Sequence, residues 1–254
     1  MKKYLVLLNQ TISQFAAFRL KILVSIFWSF VTPLAILMAI KGATPNSDIN
    51  YQSLISYYLI ISLLSPFLRS SIDEYMSEIA ASGEVNNFFL KPISFYKWHL
   101  VRDVSERIIV LGLLLPIFFL FASIITHLHS LENSTILLFI LSLPVCFLLS
   151  FNLSFLVGLL SFWVDDMWAV SNIKVVSIML LGGIIFPYSF FPSAIKNVLF
   201  YTPFPYVVSL PARIINKEVN MSEFAIAFLW IIVLTVVSQK LFKKAVRNYG
   251  FTAN

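Results

Sequence analysis

Residues Gly182 to Tyr206 read GGIIFPYSFFPSAIKNVLFYTPFPY, and this stretch decides how the rest of the chain is laid out. It begins as the end of an apolar run, breaks at Pro187 and carries further prolines at Pro192, Pro203 and Pro205. Between the breaks, Ser193 to Tyr201 is too short to cross a bilayer and too apolar for an ordinary exposed loop. Non-helical backbone at membrane depth survives only where protein or a water-filled cavity satisfies its polar groups. Residues 187–210 are therefore expected to form a re-entrant hairpin at the mouth of a pathway.

The composition agrees with a membrane setting. The chain has 254 residues, 59% of them hydrophobic, and a mean hydropathy of +0.88. Several apolar runs match a helix crossing a hydrocarbon core of ~30 Å. There is room for six spans and for no sizeable soluble domain, so 1–254 is expected to be one all-α membrane domain. A net charge of +6 would suggest nucleic acid in a soluble protein. Here basic residues flanking spans set topology and meet anionic lipid instead, and no nucleic-acid partner is expected. Cys146 is the only cysteine and lies in an apolar run, which excludes disulfides within the chain and cysteine-based zinc sites. The N-terminus is not expected to be a cleavable signal, because Asn9, Gln10, Ser13 and Gln14 interrupt its apolar run.

Taken in order, residues 1–21 predict an amphipathic helix lying in the interface, with Lys2, Lys3, Arg19 and Lys21 at its ends. The predicted spans are Ile22–Ile40, Tyr51–Leu68, Ile108–Thr126, Thr135–Val164, Ala169–Phe186 and Phe224–Phe242. Between the second and third, residues 69–107 hold half of the acidic residues. Gly83 is placed to close a helix there with a left-handed cap, and Pro92 halts the turn that follows. Arg102–Glu106 and Asp103–Arg107 are i,i+4 pairs expected on an exposed helical face.

Lysine and arginine counts orient the chain. With both termini inside, fourteen basic residues, including Arg69, Lys91, Lys97, Lys174 and Arg247, fall inside, and only Lys41, Lys196, Arg213 and Lys217 fall outside. The 69–107 region then faces the cytoplasm and the hairpin faces out.

Several patterns suggest chemistry, and each has a plainer reading beside it. The seven glycines never form a phosphate-cradling Gly-x4-Gly-Lys-Ser/Thr loop, so the energy source must be another subunit. Asp165 and Asp166 are a carboxylate pair, but catalysis needs further groups converging on one site. A second cytoplasmic contact or a solvated turn is the expected role. His127 and His129 have only Glu132 nearby, which makes a poor metal site, and no metal is expected. Ser150, Ser154 and Gly158 form a small-xxx-small stripe, for packing within the chain or between chains. Lys174, about one turn into the fifth span, is expected to snorkel as a topology anchor. Otherwise the spans carry no acidic residue, which argues against proton or sodium coupling. It favours an apolar or amphipathic cargo, with Trp28, Phe30, Tyr57, Tyr58, Phe151 and Phe155 as candidate lining or, more commonly for such residues, core.

Two segments resemble a known family. Gly182-Gly183-Ile184-Ile185-Phe186-Pro187, then Pro192 and Pro203 to Tyr206, is similar to the Gly…Phe-Pro…Pro…Asn-Pro…Tyr signature of the permease subunits of type-2 ABC exporters, with Phe204 in place of the usual asparagine. Ser82-Gly83-Glu84 followed by Phe89-Leu90-Lys91-Pro92-Ile93-Ser94 resembles a segment of a bacterial branch whose permeases are often encoded as unequal pairs beside one ATPase. The resemblance implies a coupling helix seated on a cytoplasmic ABC ATPase. It would be carried by Glu78, Ser82, Gly83, Glu84, Asn87, Phe88, Phe89, Lys91 and Pro92, with Asp165 and Asp166 as a second contact. Gly182, Gly183, Phe186, Pro187, Pro192, Pro203, Pro205 and Tyr206 would shape the outer hairpin. It further implies two ATPase copies holding the ATP and Mg, no cofactor on this chain, a second identical or similar permease chain, contact with membrane lipids, and a place in the bacterial inner membrane. A membrane-embedded lipid-modifying enzyme, using Asp165, Asp166 and His99, and a passive channel are the alternatives.

Overall fold

In a computed structural model, residues 6, 8–12, 19–43, 51–85, 94–128, 132–164 and 166–252 are described. An apolar segment in lipid must pair its backbone polar groups internally, and a helix does so within one run. Among the described residues the chain forms helices and no strand. They are α1 (Arg19–Ala43), α2 (Tyr51–Leu68), α3 (Ile72–Ala81), α4 (Phe95–Leu128), α5 (Asn133–Gly158), α6 (Met167–Leu181), α7 (Ser193–Phe200), α8 (Leu210–Ile215) and α9 (Met221–Thr252). Short 3-10 turns lie at Leu159–Phe162, Tyr188–Phe190 and Phe204–Tyr206. Among the described residues, four stretches are long and apolar enough to cross a membrane: Leu23–Gly42, Tyr51–Ala81, Asn133–Phe162 and Met221–Val246. α6 is shorter, and α4 is a 34-residue helix whose apolar part follows the charged run ending at Arg107. The predicted interfacial helix falls largely outside the described residues, of which Val6 and 8–12 are helical.

α2 is the centre. Of its apolar window, which runs on into α3, 61% is buried, against 11% for α1. Tyr57, Ile61, Leu64, Leu149, Val207, Leu210 and Ala212 join α2, α5 and the 206–215 segment in one core. Prolines lie inside continuous helices at Pro33, Pro66, Pro116 and Pro144. A proline cannot donate to the carbonyl four residues back. For Pro66 that carbonyl is Ser62 O, and the Ser29 hydroxyl of α1 donates to it at 2.9 Å. The break in one helix's ladder thus ties a second helix to it.

The fifth predicted span ends earlier than Phe186. α6 stops at Leu181 because the chain turns at Gly183, whose φ of 86° lies in the left-handed region that glycine tolerates. A Cβ on Gly183 would also stand 2.6 Å from Tyr57 Oη. Apolar composition continues to Phe186 and conceals this stop. Two tyrosines of α2 satisfy the carbonyls that the turn releases. Tyr57 Oη donates to Gly183 O at 2.7 Å and Tyr58 Oη to Ile185 O at 2.8 Å. Both rings are buried core, as are Phe151 and Phe155. After Pro187 the chain folds as the short helices that proline spacing suggests. Tyr188 Oη donates to Lys196 O at 2.9 Å, Tyr206 Oη to Phe200 O at 2.6 Å, and Trp230 Nε1 of α9 to Tyr201 O at 3.0 Å.

Candidate functional site

The described part of the 69–107 region is built on α3. Its apolar face, Ile72, Met76 and Ile79, packs on Phe151, Phe155 and Leu159 of the fourth predicted span. The small-residue stripe receives it. A Cβ on Gly158 would stand 2.7 Å from Met76 Sδ and 3.0 Å from Asp73 Cα. Ser150 Oγ accepts from Ser70 N, and Ser154 Oγ donates to Ser70 O, each at 2.9 Å. The stripe therefore brings α3 against α5 within this chain.

Lys174 does not snorkel. Its ammonium ion-pairs with Asp73 of α3 and donates to Ser154 Oγ at 3.0 Å, and the lysine is buried at 8% exposure. This corrects its reading as a topology anchor. α3 covers most of the side chain and supplies a carboxylate to it. A parallel correction applies to Asp103 and Arg107. They pair as predicted, Nη2 to Oδ1 at 3.0 Å, but in the interior rather than on an exposed face. Arg107 Nη1 also donates to Pro66 O at 3.2 Å, taking up a carbonyl from the last turn of α2. Ser70 lies beside Asp103 as well, so one serine stands between the two ion pairs. Burial pushes the Asp103 carboxyl up, against the pull of Arg107. The result is a buried cluster that joins the start of α3 to α2, α4, α5 and α6.

Around it, Arg102 lies with its guanidinium 3.5 Å from the centre of the Tyr75 ring. His99 is fully buried against Phe95 and Phe155, and its Nδ1 lies 2.8 Å from Phe95 O. Burial drives that imidazole down to about 4, so it is neutral near pH 7.

Beyond α3 the predicted cap is present. Gly83 has φ 74°, and its N–H donates to Ala80 O at 3.2 Å. Glu78, Ser82 and Glu84 stand with it at this end of α3, while Asn87, Phe88, Phe89, Lys91 and Pro92 lie outside the described residues. Asp165 also lies outside them, as does His129. Asp166 caps α6, its carboxylate accepting from Trp168 N at 3.0 Å. The carboxylate is exposed and His99 is enclosed, so the acid–base group imagined for a lipid-modifying enzyme is not assembled on these two residues.

A second buried pair lies at the other end. Arg213 of α8 and Glu223 of α9 meet at 2.7 Å, and the Arg213 guanidinium stands 4.2 Å from the centre of the Tyr188 ring. Glu223 Oε1 accepts from Asn220 N at 3.3 Å, closing the first turn of α9. Of the hairpin residues singled out, Gly182, Gly183, Pro187, Pro203, Pro205 and Tyr206 are buried. Phe186 and Pro192 face outward.

Of the buried pairs, Asp103–Arg107 is named by its spacing in the sequence, whereas Lys174–Asp73 and Arg213–Glu223 are not. One signal was present: a lysine inside an apolar span needs a partner. Asp73 is one of twelve acidic residues, and nothing in its spacing singles it out. For Arg213 the apolar neighbours Leu210, Pro211, Ala212, Ile214 and Ile215 advertised burial that the topology count did not use.

Long apolar helices, with charge buried between them and one of them broken, mark an integral membrane protein. A family model for "ABC-2 family transporter protein" matches residues 23–253, and the chain belongs to that family. It is a membrane permease of ABC transport. A comparison with curated proteins gives no match.

Proposed function

We propose that the chain is the membrane-spanning half of an ATP-driven exporter. Six spans, counting the apolar parts of α4 and α6, would form the domain, with both termini in the cytoplasm of a bacterial cell. Two permease chains, identical or paired with a similar one, would enclose the pathway, and two copies of a cytoplasmic ABC ATPase would seat on residues 78–92. The 187–210 segment would dip back into the outer leaflet and bound the exit.

One observation carries this reading. α3 leads directly into the Gly83–Glu84 turn, and the same helix is tied to α6 through Asp73 and Lys174. α6 in turn ends at the Gly183 break. A push delivered to the turn would therefore reach the outer segment through packed, hydrogen-bonded elements rather than through a flexible linker. Rigid-body shifts of this kind convert closure of one subunit into rearrangement of another. Cargo release would follow from a difference in affinity between the two arrangements.

The test is ATPase capture. A chain carrying Gly83→Val, Glu84→Lys and Phe88→Ala together is expected to remain folded and membrane-inserted while losing co-purification of the ABC ATPase. At φ 74° the valine costs about 1–2 kcal/mol locally. Undiminished capture by the triple variant would reject the coupling assignment.

A further inference from the structure

A half-open cavity of about 330 Å³ lies between α1, the end of α2 and α6. Its volume falls at the lower end of the ~300–1,000 Å³ common for small-molecule sites, enough for one head group and the start of a chain. The two ends differ. At one, Arg69 and Lys174 reach the wall; toward the other, Trp28, Ile178, Ile184 and Val208 line it. No carboxylate lines the cavity. The two cations are not equivalent. Lys174 is matched by Asp73, whereas Arg69, exposed just past α2, makes no ion pair among the described residues. The rest of the wall is mainly apolar, with the hydroxyl residues Ser25, Ser29, Thr32, Ser65 and Ser150 among it. An unpaired guanidinium at the edge of such a wall is suited to a planar or tetrahedral anion carried on a hydrocarbon chain, with hydroxyls at hand for its further oxygens. A cationic or sugar-headed molecule would leave it uncompensated.

We propose that this cavity binds an anionic amphiphile, with Arg69 on its phosphate or carboxylate and the chain running along Trp28 and Ile178 toward Ile184, and that molecules of this class are the exporter's cargo. The cargo half of this inference rests on the exporter reading above; the binding half does not.

The test uses the assembled complex in phosphatidylcholine nanodiscs, whose bulk lipid has no net charge. The probe is dodecyl phosphate brominated at the chain end, read as quenching of Trp28 (the signal lost in Trp28→Phe). Saturable quenching is expected. It should weaken at least about tenfold in Arg69→Gln, as loss of a charge-assisted contact implies, and recover most of the way in Arg69→Lys. The trimethylammonium counterpart of equal chain length should bind at least about tenfold more weakly, and inorganic phosphate should not compete. Equal quenching by both head groups, or no effect of Arg69→Gln, would overturn the site. Competition by inorganic phosphate alone would overturn the amphiphile in favour of a free anion. Trapping the ATPase with ATP and vanadate should lower affinity if the ligand is cargo. Unchanged affinity would make it a resident lipid and overturn the cargo claim. If the anionic probe binds but no ATPase co-purifies with the wild-type chain, the exporter reading fails and the site stands.

Discussion

The molecule buries charge at both ends of its helices, for different purposes. The pair on the proposed inner side, Lys174 with Asp73, joins residues 101 positions apart, and with Ser70, Ser150 and Ser154 it binds three helices and the α2–α3 turn to one point. The pair on the proposed outer side, Arg213 with Glu223, joins residues in consecutive helices and closes a compact turn-rich segment. Both remove two charges from water, which costs more than a similar apolar contact. The inner arrangement ties α3 to α6. The outer one fixes the return of the chain into α9. The same interaction thus serves as a linkage at one end and a staple at the other.

Breaking each pair is the sharpest way to test that contrast. Asp73→Ala leaves Lys174 buried without its carboxylate, and Glu223→Ala does the same to Arg213. Each is expected to cost about 3–5 kcal/mol, visible as a lower thermal midpoint of the purified chain. Only the inner variant should also alter the ATPase activity of the assembled complex. Equal effects of the two on that activity would erase the distinction between linkage and staple.

A smaller effect is expected where α2 supports the α6 break. Tyr57→Phe removes the hydroxyl that donates to Gly183 O and leaves a buried carbonyl unsatisfied, at a cost of about 1–3 kcal/mol. Hydrogen exchange should rise at 182–186 and remain unchanged at α3. A uniform rise across both would show the break to be part of one cooperative unit.

The last effect is absent at neutral pH and appears only on acidification. His99 takes up its proton more readily in the unfolded chain, where its pKa is near 6.5, than in the fold, where it lies at about 4. Stability from this group is therefore complete above about pH 6.5 and declines as pH falls toward 4. His99→Gln should flatten that part of the thermal midpoint's pH profile. An unaltered profile would place the acid sensitivity elsewhere.

The helical class and the break near Pro187 were legible because lipid leaves the backbone few choices and because proline and glycine mark where a helix fails. Gly83 was legible for the same reason: a glycine at the end of an amphipathic turn has a known use, and its φ of 74° confirms it. The stop at Leu181 was not, because Ile184, Ile185 and Phe186 continue the apolar run past the point where the backbone turns. The role of Lys174 was also hidden. Local spacing reports a lysine near a span end, whereas its partner arrives from another helix. Tyr57 and Tyr58 look like pathway aromatics in sequence, and the carbonyls they satisfy appear only once the break is folded against α2.

The central claim is that motion enters at α3 and leaves through α6 by way of Asp73 and Lys174. Spin labels placed at Ser82 and at Leu180 in the assembled complex, measured with and without trapped nucleotide, test it directly. The wild-type chain should show a nucleotide-dependent shift of the label at Leu180 relative to α2. A chain in which Asp73 and Lys174 are both replaced by leucine should stay folded and still capture the ATPase, yet lose that shift. An identical shift in the doubly substituted chain would contradict the account.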